Sequence, residues 1–137
     1  MSNRYRLTRA AELESLTIFR EFIANACREQ GVDDDTTFGL RLAVDEACTN
    51  IIQHGYAGMD PGSIILDLRF EVDKVVVDLT DFGRAFEPAE PERPDLTAPA
   101  EERKEGGLGL FLIYETMDRI DYRVAPEGNI LTFTKML

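Results

Sequence analysis

Hairpin-forming strand pairs set among long amphipathic helices predict an α+β fold for this 137-residue chain. The expected form is a two-layer sandwich, a mainly antiparallel mixed sheet with three main helices on one face. Three observations lead there. Apolar residues recur at three- and four-residue steps over long stretches, they alternate with polar residues over short ones, and turns rather than strict strand–helix–strand crossovers join the short ones. A chain of this length fits a single domain, residues 1–137, and can bury a core without disulfides. At 44% hydrophobic it has the apolar side chains to do so.

Residues 3–8 alternate as an edge strand does. From Ala11 to Gln30 the residues Leu13, Leu16, Phe19, Phe22, Ile23, Ala26 and Cys27 mark one buried helical face, and Gly31 closes the helix. Asp33, Asp34, Asp35 and Thr36 each qualify as the N-cap of the next helix. That helix includes Leu42–Tyr56. At about 100° per residue, Leu40, Ala43, Val44, Ala47 and Ile51 share an apolar face. Glu46, Asn50 and His54 form a polar stripe along its edge, and Gly55 is expected as a left-handed cap. A solvated fringe explains Glu46 and Asn50 taken alone; a site that uses them explains why they border the core.

Asp60, Pro61 and Gly62 make a turn. Ile64, Leu66, Leu68 and Phe70 then alternate with polar or outward residues, and residues 71–74 connect to a second strand whose inward set is Val75, Val77 and Leu79. The next residue of that parity is Asp81, a carboxylate on the core side that needs hydrogen-bond donors. Residues 84–105 have little periodicity and hold Pro88, Pro91, Pro94 and Pro99, four of the six prolines. A loop of that length is a functional lid or a disordered insertion, and its place between two glycine-bearing stretches favours a lid. Gly106, Gly107 and Gly109 open an apolar, buried helix over 110–117. Ile120, Tyr122 and Val124 alternate as a strand, residues 126–129 turn, and Ile130–Met136 form the last strand.

The formal charge of −11, with no basic cluster longer than Arg103-Lys104, argues against a nucleic-acid partner. It permits docking onto a basic protein surface. No secretory signal or membrane-length apolar run is evident, so a cytoplasmic location and no membrane partner are expected. Cys27 and Cys48 are too few and too isolated for a zinc site and read as small buried apolar residues.

Three features meet at the core boundary: Glu46 and Asn50 on a helix, Asp81 and Gly83 after a strand, and the glycines at 106, 107 and 109 before a helix. Helix-start amides attract phosphate, and glycine lets the backbone come close. A carboxamide oxygen suits Mg²⁺, which keeps much of its water when it binds triphosphates. A buried carboxylate is satisfied by the exocyclic amine of adenine. Each feature alone is commonplace, since a glycine run is often a turn and an aspartate after a strand is often a cap. Their order and spacing are far more specific.

In that order the sequence resembles the GHKL, or Bergerat-fold, ATPases, with their histidine-kinase-like fold, and among them the bacterial anti-sigma-factor serine/threonine kinases. Glu46-Ala-Cys-Thr-Asn50-Ile-Ile-Gln-His54-Gly55-Tyr56 resembles the N box, which implies Glu46 as general base and Asn50 as the Mg²⁺ ligand. Asp81-Phe-Gly83-Arg-Ala85-Phe86-Glu-Pro88 resembles the first glycine box, which implies that Asp81 reads adenine. Ala85 stands where many members have a second glycine, a variation similar to that of the anti-sigma branch. Gly106-Gly107-Leu108-Gly109-Leu110 resembles the second glycine box, whose amides meet the phosphates of ATP. Arg103 or Lys104 can reach the terminal phosphate when the lid closes, or can be a solvated basic pair.

The resemblance further implies an antagonist protein as phosphate acceptor, a sigma factor held inactive by binding, and a homodimer. His54 suits a structural hydrogen bond better than catalysis. A non-catalytic module that sequesters a regulator is the rival from another class, and free ATP hydrolysis within a larger machine is a second.

Overall fold

The computed structural model describes residues 3–85 and 115–137. Strand β1 spans Arg4–Ala10, helix α1 Ser15–Glu29 and helix α2 Asp34–Asn50, the last running on into a five-residue π-helical turn, Ile51–Gly55. Strands β2 (Ser63–Phe70), β3 (Lys74–Asp81), β4 (Arg119–Ala125) and β5 (Gly128–Met136) complete the described elements. They form one sheet in the order β1-β2-β3-β5-β4, antiparallel at every described pairing. Two of the three expected helices are α1 and α2. The third, expected over 110–117, lies outside the described residues apart from Glu115 and Thr116, which are helical, and Met117.

The core joins one side of the sheet to the two helices. Ile64, Leu66, Leu68 and Phe70 of β2 and Val75, Val77 and Leu79 of β3 are buried, as the two-residue alternation requires, and Leu131 and Phe133 of β5 extend the layer. Phe19, Ile23, Ala26 and Cys27 of α1 and Leu40, Ala43, Val44, Ala47 and Cys48 of α2 close over it. Tyr5, Phe22 and Phe70 add edge-to-face ring contacts at 6.4 and 5.5 Å. Both cysteines are buried and form no disulfide, and burial pushes each thiol up from its ordinary range.

Three expected boundaries move. The first helix starts at Ser15 rather than Ala11, because residues 11–14 spend their backbone groups in turns: Glu12 N–H donates to Ala10 O and Ser15 N–H to Glu12 O. Leu13, left outside the helix, is exposed. Asp33 is the N-cap of α2, its side chain accepting from Thr36 N–H at 2.8 Å.

At the other end of α2, Gly55 is not a left-handed cap. The helix widens into the π-helical turn and ends at Tyr56, with φ −101° and ψ 12°, and the left-handed residue is Gly58, at φ 72°. The last hairpin is also tighter than expected. Gly128 and Asn129 belong to β5, so Asn129 lies opposite Asp81 across the β3–β5 ladder.

Candidate functional site

The end of α2 and the end of β3 are stitched together by backbone. Arg84 N–H donates to Gly55 O at 2.7 Å, bringing the segment after β3 onto the π-helical turn. At Gly83 a Cβ would lie 2.4 Å from Gly55 O and 2.7 Å from Gly55 C, so only glycine allows this approach. We expect Gly83→Ala to drive these two backbones apart and to destabilise the protein by about 2 kcal/mol, within the range for overpacking. That corresponds to roughly a 5–10 °C fall in melting temperature. Thermal unfolding followed by circular dichroism would read it, and an unchanged midpoint would show that the approach can relax.

Tyr56 braces the same corner. Its hydroxyl donates to Ser63 O at 2.8 Å and accepts from Phe82 N–H at 2.9 Å, tying the residue after the π-helical turn to the start of β2 and the end of β3. The phenol is buried, and desolvation holds it above the ordinary tyrosine range.

Asp81 sits inside this corner, buried like the rest of its parity set. Its Oδ1 accepts from Gly83 N–H at 3.0 Å and from Asn129 Nδ2 at 3.1 Å. The same Asn129 amide donates to Gly83 O at 3.0 Å. A buried carboxylate is thereby given donors, and both of these bonds fall on one of its oxygens. The Asp81 charge also reaches α2, where it helps raise the Cys48 thiol. Sequence reasoning assigned Asn129 to a turn and so missed it; the one signal for it was the polar residue directly after a turn glycine.

Glu46 and Asn50 are half-buried on α2, while His54, in the wider turn, is exposed. Burial, reinforced by the charge of Asp45, holds the Glu46 carboxyl above the ordinary glutamate range. Asp45 itself pairs with Arg20 of α1 at 2.7 Å. The π-helical turn begins directly after Asn50, and such wide turns concentrate at functional sites.

The structure therefore brings Asp81 and Gly83 together with the end of the helix that carries Glu46 and Asn50. The remaining site candidates, Arg103, Lys104, Gly106, Gly107, Leu108, Gly109 and Leu110, lie outside the described residues, as do Phe86, Pro88 and all but two residues of the expected lid.

The family model of the histidine kinase-like ATPase domain matches residues 9–135. The chain belongs to this family. Among curated relatives, the serine-protein kinase RsbW of Halalkalibacterium halodurans is 32% identical over 135 residues, covering 96% of this chain and 82% of the relative. The RsbW kinases of Bacillus cereus and Bacillus thuringiensis are each 32% identical over 131 residues, covering 93% of this chain and 81% of theirs.

For a histidine kinase-like ATPase domain the relevant nucleotide is ATP, and the stitched corner has the chemistry to take part of it. A buried carboxylate with its donors gathered on one oxygen can accept from a base, and a half-buried glutamate stands on the adjoining helix. Among the described residues no group of three or more His, Cys, Asp or Glu side chains is placed to hold a metal ion. No helix among the described residues is long and apolar enough to cross a membrane.

Proposed function

We propose that this histidine kinase-like ATPase domain is an ATP-dependent protein serine/threonine kinase, and that it phosphorylates a serine or threonine of an antagonist protein and holds a sigma factor inactive by binding it. The observation that carries the reading is the stitched corner: it sets the helix of Glu46 and Asn50 against a buried, anchored Asp81 in a chain about one-third identical to serine-protein kinases.

Asp81 accepts from the exocyclic amine of adenine, and the Gly55–Gly83 contact fixes the floor beneath the nucleotide. Asn50 would offer a carboxamide oxygen to Mg²⁺, an ion that keeps much of its water when it binds triphosphates. When bound, Mg²⁺ neutralises charge on the phosphates of ATP. Glu46 orients the acceptor hydroxyl and takes its proton; its raised pKa makes it a better base than an ordinary solvated glutamate. Phosphoryl transfer has a loose transition state in which positioning outweighs base strength, so a glutamate suffices. The glycines at 106, 107 and 109 supply phosphate-facing amides, with Arg103 or Lys104 as the cationic partner of the terminal phosphate. The protein works as a homodimer in the cytoplasm.

Incubation with γ-labelled ATP, Mg²⁺ and the antagonist protein is expected to label the antagonist on serine or threonine. Nucleotide binding without any phosphoprotein would return the chain to the class of non-catalytic regulatory modules.

A further inference from the structure

Asn129 has no part in the roles assigned so far, yet it is one of only three buried polar or charged residues among those described, with Ser15 and Asp81. It lies directly opposite Asp81 in the β3–β5 ladder. Its side-chain nitrogen has two hydrogens and two acceptors: Asp81 Oδ1 at 3.1 Å and Gly83 O at 3.0 Å. With both donors engaged, the amide cannot flip without placing its oxygen against two acceptors. Gly83 N–H completes the set on Asp81 Oδ1.

From this geometry we infer that Asn129 is the positioning residue for base selection: it locks the Asp81 carboxylate by one oxygen and presents the other, Oδ2, as a fixed acceptor for the 6-amino group of adenine. This rests on the reading of Asp81 as the adenine-facing group and deepens it. A carboxylate free to turn about its last side-chain bond would meet an amine or a water with either oxygen. A carboxylate clamped on one side offers a single acceptor in a single direction. A 6-oxo purine brings an acceptor to that place, and a buried acceptor facing another is left unpaired. The bond to Gly83 O does a second thing: it holds the strand exit against Gly55, so base recognition and the floor of the site share one amide.

The test is a binding titration of ADP against IDP, which differ at the 6-position, on wild type and on Asn129→Ala and Asn129→Asp. Wild type is expected to prefer ADP by about a hundredfold or more. Asn129→Ala should reduce that preference by about tenfold while changing IDP affinity by less than about threefold, since IDP has no 6-amino donor for the presented oxygen, Oδ2. Asn129→Asp keeps the shape but removes both donors and sets a carboxyl against Asp81, so its preference should fall at least as far.

A purely structural role would weaken both nucleotides together and leave the ratio intact; that outcome overturns the proposal. As a measurement that needs no variant, the Asn129 side-chain amide protons of the ¹⁵N-labelled wild type should become more protected from exchange with ADP than with IDP. Equal protection counts against the proposal. If wild type binds ADP and IDP equally, Asp81 is not the adenine reader, and the proposal falls with that reading rather than on its own account.

Discussion

Glu46→Gln should lower phosphoryl transfer to the antagonist by about 10²–10⁴-fold, the span that loss of a positioned general base produces. Affinity for ADP should stay within about threefold, because the glutamate acts on the acceptor hydroxyl rather than on the nucleotide. Glutamine keeps the size and one hydrogen-bonding oxygen of the side chain, so packing along α2 is preserved.

The pH dependence makes the assignment more specific. Burial and Asp45 raise the Glu46 pKa, so wild-type transfer should fall as the pH drops through a value above that of an ordinary glutamate, and this acid limb should be missing from whatever activity the variant retains. The stability signature has the opposite sense. A carboxyl whose folded pKa is raised contributes stability that is fully present below its unfolded pKa and lost as the pH rises through the folded one. Glu46→Gln should remove that loss and leave the protein slightly more stable at neutral pH. Phosphorylation assays on both proteins across pH, with denaturation at two pH values, read all of this. Wild-type rates in the variant would remove Glu46 as the base.

Asp81→Asn should reduce ADP affinity by at least about a hundredfold while leaving the fold nearly as stable as before. The reason lies in the one-sided bonding of the carboxylate. An asparagine at 81 can still accept through its own oxygen from Gly83 N–H and the Asn129 amide, which now meet at Oδ1 at 3.0 and 3.1 Å. Its NH₂ then stands where the second oxygen was, a donor set against the donor of adenine. Sites built to hydrogen-bond a ligand group discriminate strongly once the pairing is reversed. Titration calorimetry with ADP and a melting curve together separate loss of recognition from loss of structure. Unchanged ADP binding would take adenine recognition away from Asp81.

Much of this arrangement is legible in the sequence because it obeys local periods. The two-residue alternation through Ile64, Leu66, Leu68 and Phe70, and through Val75, Val77 and Leu79, sorts core from surface and carries Asp81 inward by parity alone. The helical period does the same for Leu40, Ala43, Val44, Ala47 and Ile51. The features that escape are decided by neighbours distant in sequence. The placing of β5 between β3 and β4 comes from pairing across a long connection, so nothing near residue 129 says that it will face residue 81. The end of α2 is similar. Gly55 carries the commonest helix-stop residue, yet its conformation is set by the turn's tie to Arg84 N–H and by the Tyr56 hydroxyl bonds, and the left-handed position moves to Gly58.

The wide turn at Ile51–Gly55 has a consequence for the spacing of the whole segment around it. Ordinary α winding through the same five residues would leave the chain one residue out of phase and swing the residues beyond it by about 100°. The Gly55 carbonyl and the Tyr56 ring would then point away from the strands that they hold. The surplus residue thus acts as a phase-setter: winding all five residues as α-helix would uncouple the helix of Glu46 from the strand of Asp81, whereas deleting one residue between 51 and 55 lets ordinary α winding keep the phase and the coupling.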